Sequence, residues 1–529
     1  MRTDRVAQKG EGMVIAIVDT GVDMTHPALN GALSGSPALD SEKVAALLPQ
    51  LGEGKNGTYV SEKFPFAYDY ADGDNDASPA PDDSGSHGTH VAGIAAGNAD
   101  KIMGTAPEAQ VIVAKVSRSK TGEYPDSALL AALDDMAVLR PDVVNLSLGQ
   151  TGGMDNEADS VYASVYKNLQ DAGVSVNAAA GNSYSSAYSN YSGKGLPYAT
   201  DPDAGTVSEP ASYGSTLSIA SVNNQDALPY LTYGDKQIVY RKSRGLKDAF
   251  VPSLLDIEEG AYTVIYGGIG DAAALEKMVA EHPGDLSTTI VLEDRGGSDS
   301  VTGADMTHEA KVSGLTKLNS KPAALILGDS QDTDTPYVAT IESTHTLPTV
   351  TITKKEKDAL IEAINAADSH SISISNPHAG LELASNNPTL SDFTSWGVTP
   401  NLTLKPEVAA PGGNIVAAVL GNEYRSMSGT SMATPQVAGI TTLVRQRLNE
   451  DPEFASLSAY EKTTIVTNFL MGTAHPLLDV DQNNGTYYSP RRVGAGQVDA
   501  VATTPSYVYP TVVGAAHPSR PQADPGDGT

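Results

Sequence analysis

The chain has 529 residues, enough for two or three domains, and its 64 acidic and 34 basic residues give a formal net charge of −30. A surface this negative repels nucleic acid and anionic lipid, so we expect no nucleic-acid partner. Cysteine is absent, which excludes disulfides, thiolate zinc sites and a cysteine nucleophile. No apolar run approaches the roughly 18–20 residues that a membrane span needs. We therefore expect no membrane span in this chain, and we also expect a monomer.

The first 222 residues alternate strand-like and helical patterns. Strands are predicted at 13–19, 111–116, 142–148 and 174–180, and helices at 87–97, 127–139 and 161–170. After residue 379 the same alternation returns, with strands at 405–410 and 415–418 and a long helix that begins near Ser431. This order predicts an α/β fold, with a mostly parallel sheet and helices on both faces.

A smaller inserted domain is predicted at 224–378, where charged loops separate strand-like runs at 262–266, 289–293, 323–327 and 349–352. Helical patterns occur there at 271–281 and 354–366. The α/β domain is then discontinuous, comprising 1–223 and 379–504, and the Pro-, Gly- and Asp-rich residues 505–529 resemble a linker. The N-terminus lacks the features of a signal peptide. We expect a trimmed stretch of a longer, exported protein.

Three short segments contain the candidate catalytic residues. In VIAIVDTGVD, Asp19 ends a buried strand, where open α/β sheets place their sites, although a lone aspartate there could equally be a turn or helix cap. In HGTHVAGI, His87 begins a helix and could act as a general base. His90 lies three residues on, so a metal-binding histidine pair is an alternative, but the glutamate and spacing of a zincin helix are missing.

The third segment is GTSMATPQVAG, in which Ser431 leads into a helix. A helix N-terminus directs backbone N–H groups and the positive end of the helix dipole at whatever the serine oxygen attacks. Pro435 falls in the first turn, where it costs little. Taken alone, Ser431 could be an ordinary N-cap residue.

Together, DTG, HGTHVAG and GTSMATP resemble the subtilase family of serine peptidases, whose Asp–His–Ser order is an established pattern. The resemblance implies a subtilisin-like fold and a catalytic triad of Asp19, His87 and Ser431. The asparagine of NAAAGN, Asn182, would then donate to the oxyanion. The resemblance therefore predicts a serine endopeptidase that acts on protein or peptide substrates and needs no cofactor for its chemistry.

Two segments are predicted to bind the substrate. NLSLG, residues 145–149, resembles the edge strand that pairs with an extended peptide, which selects Ser147, Leu148 and Gly149 as binding residues. Ala179 and Gly181 of the AGN segment would form the facing wall. Because these residues are small and uncharged apart from the nearby Asp155 and Glu157, we expect an open pocket that accepts medium to large apolar side chains.

A narrower resemblance, to the cell-envelope proteinases of Gram-positive bacteria (the lactocepin and streptococcal C5a peptidase group), covers most of the chain. It is based on FPFAYDYADGDND (64–76), GTAPEAQVIVAKV (104–116), TSWGVTPNLTLKPEVAAPGGNI (394–415) and YYSPRRVGAGQVDA (487–500). Segments 288–297, 321–329 and 347–364 make the insertion similar to a protease-associated domain. This resemblance implies a secreted or cell-wall-associated enzyme.

Structural calcium is a further expectation, because acidic side chains cluster in two loops. One loop contains Asp69, Asp72, Asp74 and Asp76, followed by Asp82 and Asp83, and the other contains Asp479, Asp481 and Asn483. The second loop does not match the EF-hand pattern. The first loop, which precedes His87, could instead favour basic substrate residues through its field.

Two other functions stay open at this point. The chain could be a non-catalytic binding or adhesion module on a subtilase scaffold, or an intracellular aminopeptidase-like or regulatory subtilase. The intact residues Asp19, His87, Ser431 and Asn182 favour the endopeptidase.

Overall fold

The computed structural model describes residues 3–52, 57–81, 85–99, 102–152, 160–185, 188–189, 205–224, 227–245, 251–258, 260–333, 335–341, 346–383, 388–479 and 485–508. The chain divides into two compact units, one of residues 1–224 and 387–529 and the other of residues 225–386. Within the described ranges, no helix is both long and apolar enough to cross a bilayer.

The first unit is built on a seven-stranded sheet in which every pair of neighbours is parallel. In spatial order its strands are Phe66–Asp69, Gln110–Lys115, Val14–Asp19, Val143–Leu146, Ser175–Ala179, Leu217–Asn223 and Val408–Gly413. Two-stranded sheets join Asn98–Ala99 to Ile102–Met103, Tyr184–Ser185 to Tyr188–Ser189, and Ile415–Val419 to Glu423–Met427. Because the strands are parallel, their carboxyl ends meet at one edge, where sites of such sheets form.

Helices cover both faces of this sheet, as alternate side chains of the Val14–Asp19 strand demonstrate. Ile15 and Ile17 pack into one apolar cluster with the helices Ser86–Ala96 and Thr430–Glu450. Val14, Ala16 and Val18 pack into a second cluster with the helices Asp126–Leu139 and Val161–Asp171. Further α-helices in the described part of the unit are Ser41–Leu47, Ala459–Gly472, Pro490–Val493 and Ala500–Thr503. The predicted α/β architecture is confirmed.

The second unit contains a mixed six-stranded sheet in the order Arg241–Lys242, Thr349–Ile352, Ala324–Gly328, Thr289–Asp294, Tyr262–Tyr266 and Ser371–Ile374. Among its described residues, α-helices form at Ala272–Glu281, His308–Thr316 and Lys354–Ala366. A three-stranded sheet joins Lys236–Val239, Ala227–Tyr233 and Asn376–Leu383, and a two-stranded sheet joins Arg244–Gly245 to Thr340–Ile341. The assignment of residues 224–378 to a protease-associated domain stays a prediction.

Most predicted elements of the first unit form within a residue or two of their expected limits, but the strand predicted at 405–410 begins only at Val408. Pro406 cannot donate to a ladder, and Lys405 instead turns its side chain into the interior. Its ammonium lies 2.8 Å from Glu407 Oε1 and donates to the Thr216 carbonyl at 2.7 Å. Glu407 Oε2 in turn accepts from the Ser218 N–H at 2.7 Å. Both side chains are almost fully buried.

Replacing Lys405 with methionine should destabilise the first unit by about 3–5 kcal/mol, because it leaves the Glu407 carboxylate buried without its cation. The single tryptophan, Trp396, is 5% exposed and belongs to this unit, so its fluorescence in a urea titration reports the change. The double variant Lys405→Met/Glu407→Gln should recover part of the loss, since glutamine still accepts from Ser218. Equal destabilisation in the single and double variants would contradict the ion-pair explanation.

Candidate active site

Asp19, His87 and Ser431 lie on three elements of the first unit. Asp19 is the last residue of the Val14–Asp19 strand, His87 is the second residue of the Ser86–Ala96 helix, and Ser431 is the second residue of the Thr430–Glu450 helix. The two helices pack together in the cluster on one face of the sheet. Their N-terminal turns therefore bring His87 and Ser431 to the carboxyl edge of the strands.

Asp19 and His87 form a direct hydrogen bond. The imidazole Nδ1 lies 2.8 Å from Asp19 Oδ1, and the same oxygen accepts from the Thr20 N–H at 2.7 Å. Gly88 permits this approach, because a Cβ there would lie 2.2 Å from the Gly21 carbonyl oxygen. With Nδ1 donating to the carboxylate, Nε2 of His87 is the ring nitrogen free to accept a proton.

The environments of the two histidines differ. Burial alone would lower the pKa of His87, but the charge of Asp19 and its hydrogen bond outweigh that effect, so the pKa is raised above its ordinary value. Burial lowers the pKa of His90 to about 4, and its Nε2 lies 3.0 Å from the Arg425 carbonyl oxygen. The two rings thus have separate partners, and this arrangement gives no support to the metal-pair alternative.

Ser431 and Ser147 hold each other through two hydrogen bonds. The Ser431 hydroxyl donates to the Ser147 carbonyl at 3.0 Å, and the Ser147 hydroxyl donates to the Ser431 carbonyl at 2.8 Å. Asn145 Nδ2 donates to the Ser147 hydroxyl at 3.0 Å. These contacts fix the start of the Ser431 helix against the segment that follows the Val143–Leu146 strand.

The Asn182 amide is oriented by Thr430. Asn182 Oδ1 accepts from the Thr430 N–H at 2.9 Å and from the Thr430 hydroxyl at 3.0 Å. The Thr430 hydroxyl also accepts from the Gly181 N–H at 3.1 Å. Since both bonds engage the carbonyl oxygen, the Nδ2 amino group stays available as a donor.

Most of the predicted site residues line one cavity of about 860 Å³. It is lined by His87, Ser147, Leu148, Gly149, Ala179, Gly181, Asn182 and Ser431. Asp19 does not line it, because that carboxylate is buried behind the imidazole. The structure therefore places both predicted wall segments around the hydroxyl of Ser431.

The chain matches the Peptidase S8 family, described as the subtilase family, over residues 10–496. The chain belongs to the subtilase family. A PII-type proteinase of Lacticaseibacillus paracasei is 32% identical over 516 residues, and one of Lactococcus lactis subsp. cremoris is 32% identical over 518 residues. A C5a peptidase of Streptococcus pyogenes is 29% identical over 515 residues. The predicted resemblance is thereby confirmed.

These alignments cover nearly all of this subtilase but only part of each relative. They span 93% of the chain and 26% of either PII-type proteinase, and 96% of the chain and 40% of the C5a peptidase. The chain thus spans about a quarter to two fifths of the length of these relatives.

The expectation of a small, uncharged pocket lining is incomplete. The cavity of this subtilase is also lined by the acidic residues Asp126 and Glu209 and by Tyr162 and Tyr166. Because the Gln150 N–H donates to the Glu209 carbonyl at 2.9 Å, the segments around residues 150 and 209 are joined. No local motif marked these side chains, since they enter from segments distant in sequence. Asp155 and Glu157 lie outside the described residues.

The acidic candidates for calcium make separate contacts in this subtilase. Asp69 Oδ2 lies 2.7 Å from Lys115 Nζ, and Asp72 Oδ2 accepts from the Ser119 N–H. Asp74 and Asp76 accept from the backbone N–H groups two residues further on. Within the described ranges no three His, Asp or Glu side chains form a metal-binding group.

Of the remaining calcium candidates, Asp479 is described, whereas Asp82, Asp83, Asp481 and Asn483 lie outside the described residues. Calcium binding stays a prediction.

Replacing Thr430 with valine should slow fluorophosphonate labelling of Ser431 about fivefold. The change removes one hydrogen bond that orients Asn182, worth about 1 kcal/mol. Thr430→Ser, which keeps the hydroxyl, should label at nearly the parent rate. The rates are measured by intact-mass spectrometry over time, and equal slowing in both variants would argue against an orienting role of the hydroxyl.

Proposed function

We propose that this chain is a serine endopeptidase that hydrolyses peptide bonds in extended protein or peptide substrates through an acyl-enzyme on Ser431. The observation that carries the proposal is the 2.8 Å bond between His87 Nδ1 and Asp19 Oδ1, with His87 and Ser431 on the wall of one cavity. Subtilase membership and relatives named as proteinases support the same reading.

The reaction begins with the Ser431 hydroxyl, which turns from the Ser147 carbonyl towards His87. His87 Nε2 takes its proton as Oγ attacks the substrate carbonyl, and Asp19 stabilises the imidazolium that forms. The same nitrogen then protonates the leaving amine, which gives the acyl-enzyme. A water molecule, activated by His87, hydrolyses the ester and restores Ser431.

The negative charge that develops on the carbonyl oxygen requires preorganised donors. Asn182 Nδ2 and the backbone N–H of Ser431, at the start of a 21-residue helix, supply them in this proposal. A side-chain donor of this type contributes roughly 2.7–4 kcal/mol to transition-state stabilisation. Since Thr430 already occupies Asn182 Oδ1, the amide needs no rotation when the charge forms.

An extended peptide is proposed to lie along Ser147, Leu148 and Gly149. A peptide N–H would compete for the Ser147 carbonyl, which in the free protein accepts from the Ser431 hydroxyl. Substrate binding would in this way release Oγ for attack. Main-chain bonds of this kind give affinity, while side-chain pockets set preference.

The family resemblance supports a proposal for the location of the enzyme and for the role of its inserted segment. We place it outside the cell or at the cell wall, and we assign residues 224–378 a protease-associated role in steering large substrates. If deletion of this segment left cleavage of a large protein unchanged in a folded enzyme, the steering role would be wrong.

A fluorophosphonate probe tests the proposed function directly. We expect one covalent adduct per chain on the parent and none on Ser431→Ala, as read from the intact mass. The parent should also release new termini from a denatured protein substrate. A folded parent that takes up no probe would contradict the proposal.

Asp19→Asn should slow labelling by about 10⁴-fold, because the amide no longer holds the reactive tautomer or stabilises the imidazolium. The pH profile should change as well. Asp19 raises the pKa of His87, and labelling needs neutral His87, so the rate falls as pH drops through that pKa. Removing the carboxylate lowers the pKa and moves the acidic midpoint to lower pH.

Asp23→Asn is the matched control for this experiment, because it makes the same change four residues along the chain. The Asp23 carboxylate accepts only from Thr25 among its described contacts. The pH profile of labelling in Asp23→Asn should match that of the parent. An unchanged midpoint in Asp19→Asn would contradict the role given to the Asp19–His87 pair.

A further inference from the structure

The cavity beside Ser431 has a distinctive charge. Among the lining residues that the structure describes, Asp126 and Glu209 are acidic, His87 belongs to the reactive pair, and none is a lysine or arginine. The wall also carries the tyrosine rings of residues 124, 162 and 166. A cationic side chain would meet opposite charge and aromatic faces along this described part of the lining.

One oxygen of the Glu209 carboxylate accepts a hydrogen bond, and the other has no hydrogen bond or ion pair among the described residues. The Tyr213 hydroxyl donates to Glu209 Oε1 at 2.8 Å, and it lies 3.1 Å from the Ser160 hydroxyl. Within the described part of the chain, no hydrogen bond or ion pair engages Glu209 Oε2. The Glu209 side chain is half-buried, so a ligand in the cavity can reach it.

Tyr166 contributes a second polar group to the same wall. Its side chain is fully buried, and its hydroxyl has no hydrogen-bond partner among the described residues. The ring lies 5.3 Å from Tyr213 and 6.4 Å from Tyr162, measured between centroids. Burial raises the pKa of Tyr166 well above its ordinary value, so the hydroxyl stays protonated.

We propose that this end of the cavity is a recognition site for a lysine or arginine side chain of the substrate, and that Glu209 is the residue that selects it. The inference deepens the proposed function by naming the class of substrate. The basic residue would be the one whose carbonyl Ser431 attacks, because the cavity is continuous from Ser431 to Glu209.

The alternative occupant is the apolar side chain expected from the sequence. It would leave Glu209 Oε2 and the Tyr166 hydroxyl without partners in a partly dehydrated space, which is unfavourable. A basic side chain can lay its methylene groups against Leu129 and Leu148 while its charged end reaches the carboxylate. A basic side chain would thus contact both the apolar and the acidic parts of the lining.

The binding experiment uses the Ser431→Ala variant, which keeps the cavity but cannot cleave a substrate. We expect 4-aminobenzamidine, followed by its fluorescence, to bind at least tenfold more tightly than neutral 4-aminobenzamide, followed by competition. Adding Glu209→Gln should weaken amidine binding 10- to 100-fold, while Glu42→Gln, which removes an exposed charge outside the cavity, should not. Equal binding of the amidine and the amide would overturn the proposal.

A second variant guards against misfolding of Glu209→Gln. Tyr166→Phe removes only the hydroxyl and keeps the ring, and we expect it to weaken amidine binding about two- to fivefold. If neither variant weakened binding although both gave the near-ultraviolet circular dichroism of the parent, the proposal would be wrong.

The hydrolysis arm uses one peptide series that differs only in the residue before the cleaved bond, with arginine, lysine, leucine or glutamate. We expect the parent to prefer arginine and lysine over leucine in kcat/KM by at least tenfold. Glu209→Gln should reduce the arginine-to-leucine ratio 10- to 100-fold. Cleavage with leucine preferred would overturn this inference alone, whereas amidine binding without any hydrolysis would overturn only the proposed function.

Discussion

The hydrogen bond between Asp19 and His87 is the contact on which the rest of the site depends. His87 Nδ1 lies 2.8 Å from Asp19 Oδ1. This contact requires the first turn of the Ser86–Ala96 helix to pack closely against the end of the Val14–Asp19 strand. Only glycine at position 88 tolerates that approach, since a Cβ would strike the Gly21 carbonyl. The sheet carries the carboxylate and the helix carries the base, so the packing of helix on sheet is itself a determinant of His87 chemistry.

The serine is positioned by a separate set of contacts. Ser147 and Ser431 exchange two hydrogen bonds, and Thr430 joins Asn182 to the same helical turn. The nucleophile, the oxyanion donor and the proposed peptide-binding segment are therefore connected by short bonds at one helix N-terminus. This arrangement explains why Ser431 and Asn182, 249 positions apart in the printed sequence, can act at one carbonyl group.

Structural features that depend on residues close together in the sequence can be predicted from it, whereas contacts between distant segments cannot. The buried strand at Asp19 and the helices at His87 and Ser431 carry local apolar periodicity, and they form close to their expected limits. Contacts made in three dimensions leave no such signal. The role of Thr430 depends on the Asn182 loop folding against it, and Glu209 enters the cavity because its backbone pairs with Gln150. The prediction made from the nearby small residues therefore did not include Asp126 and Glu209, which also line the cavity.

Acidic residues of this chain occupy different environments, which composition alone cannot separate. Asp69, Asp329 and Glu407 are buried and each contacts a lysine or arginine of the chain, which is what a low-dielectric interior requires. Glu209 lines a cavity, and among the described residues its carboxylate accepts only from the neutral Tyr213 hydroxyl. A carboxylate that the fold holds still but does not neutralise retains its attraction for an external cation. The contrast with the paired carboxylates is the reason to assign Glu209 to substrate recognition and not to stability.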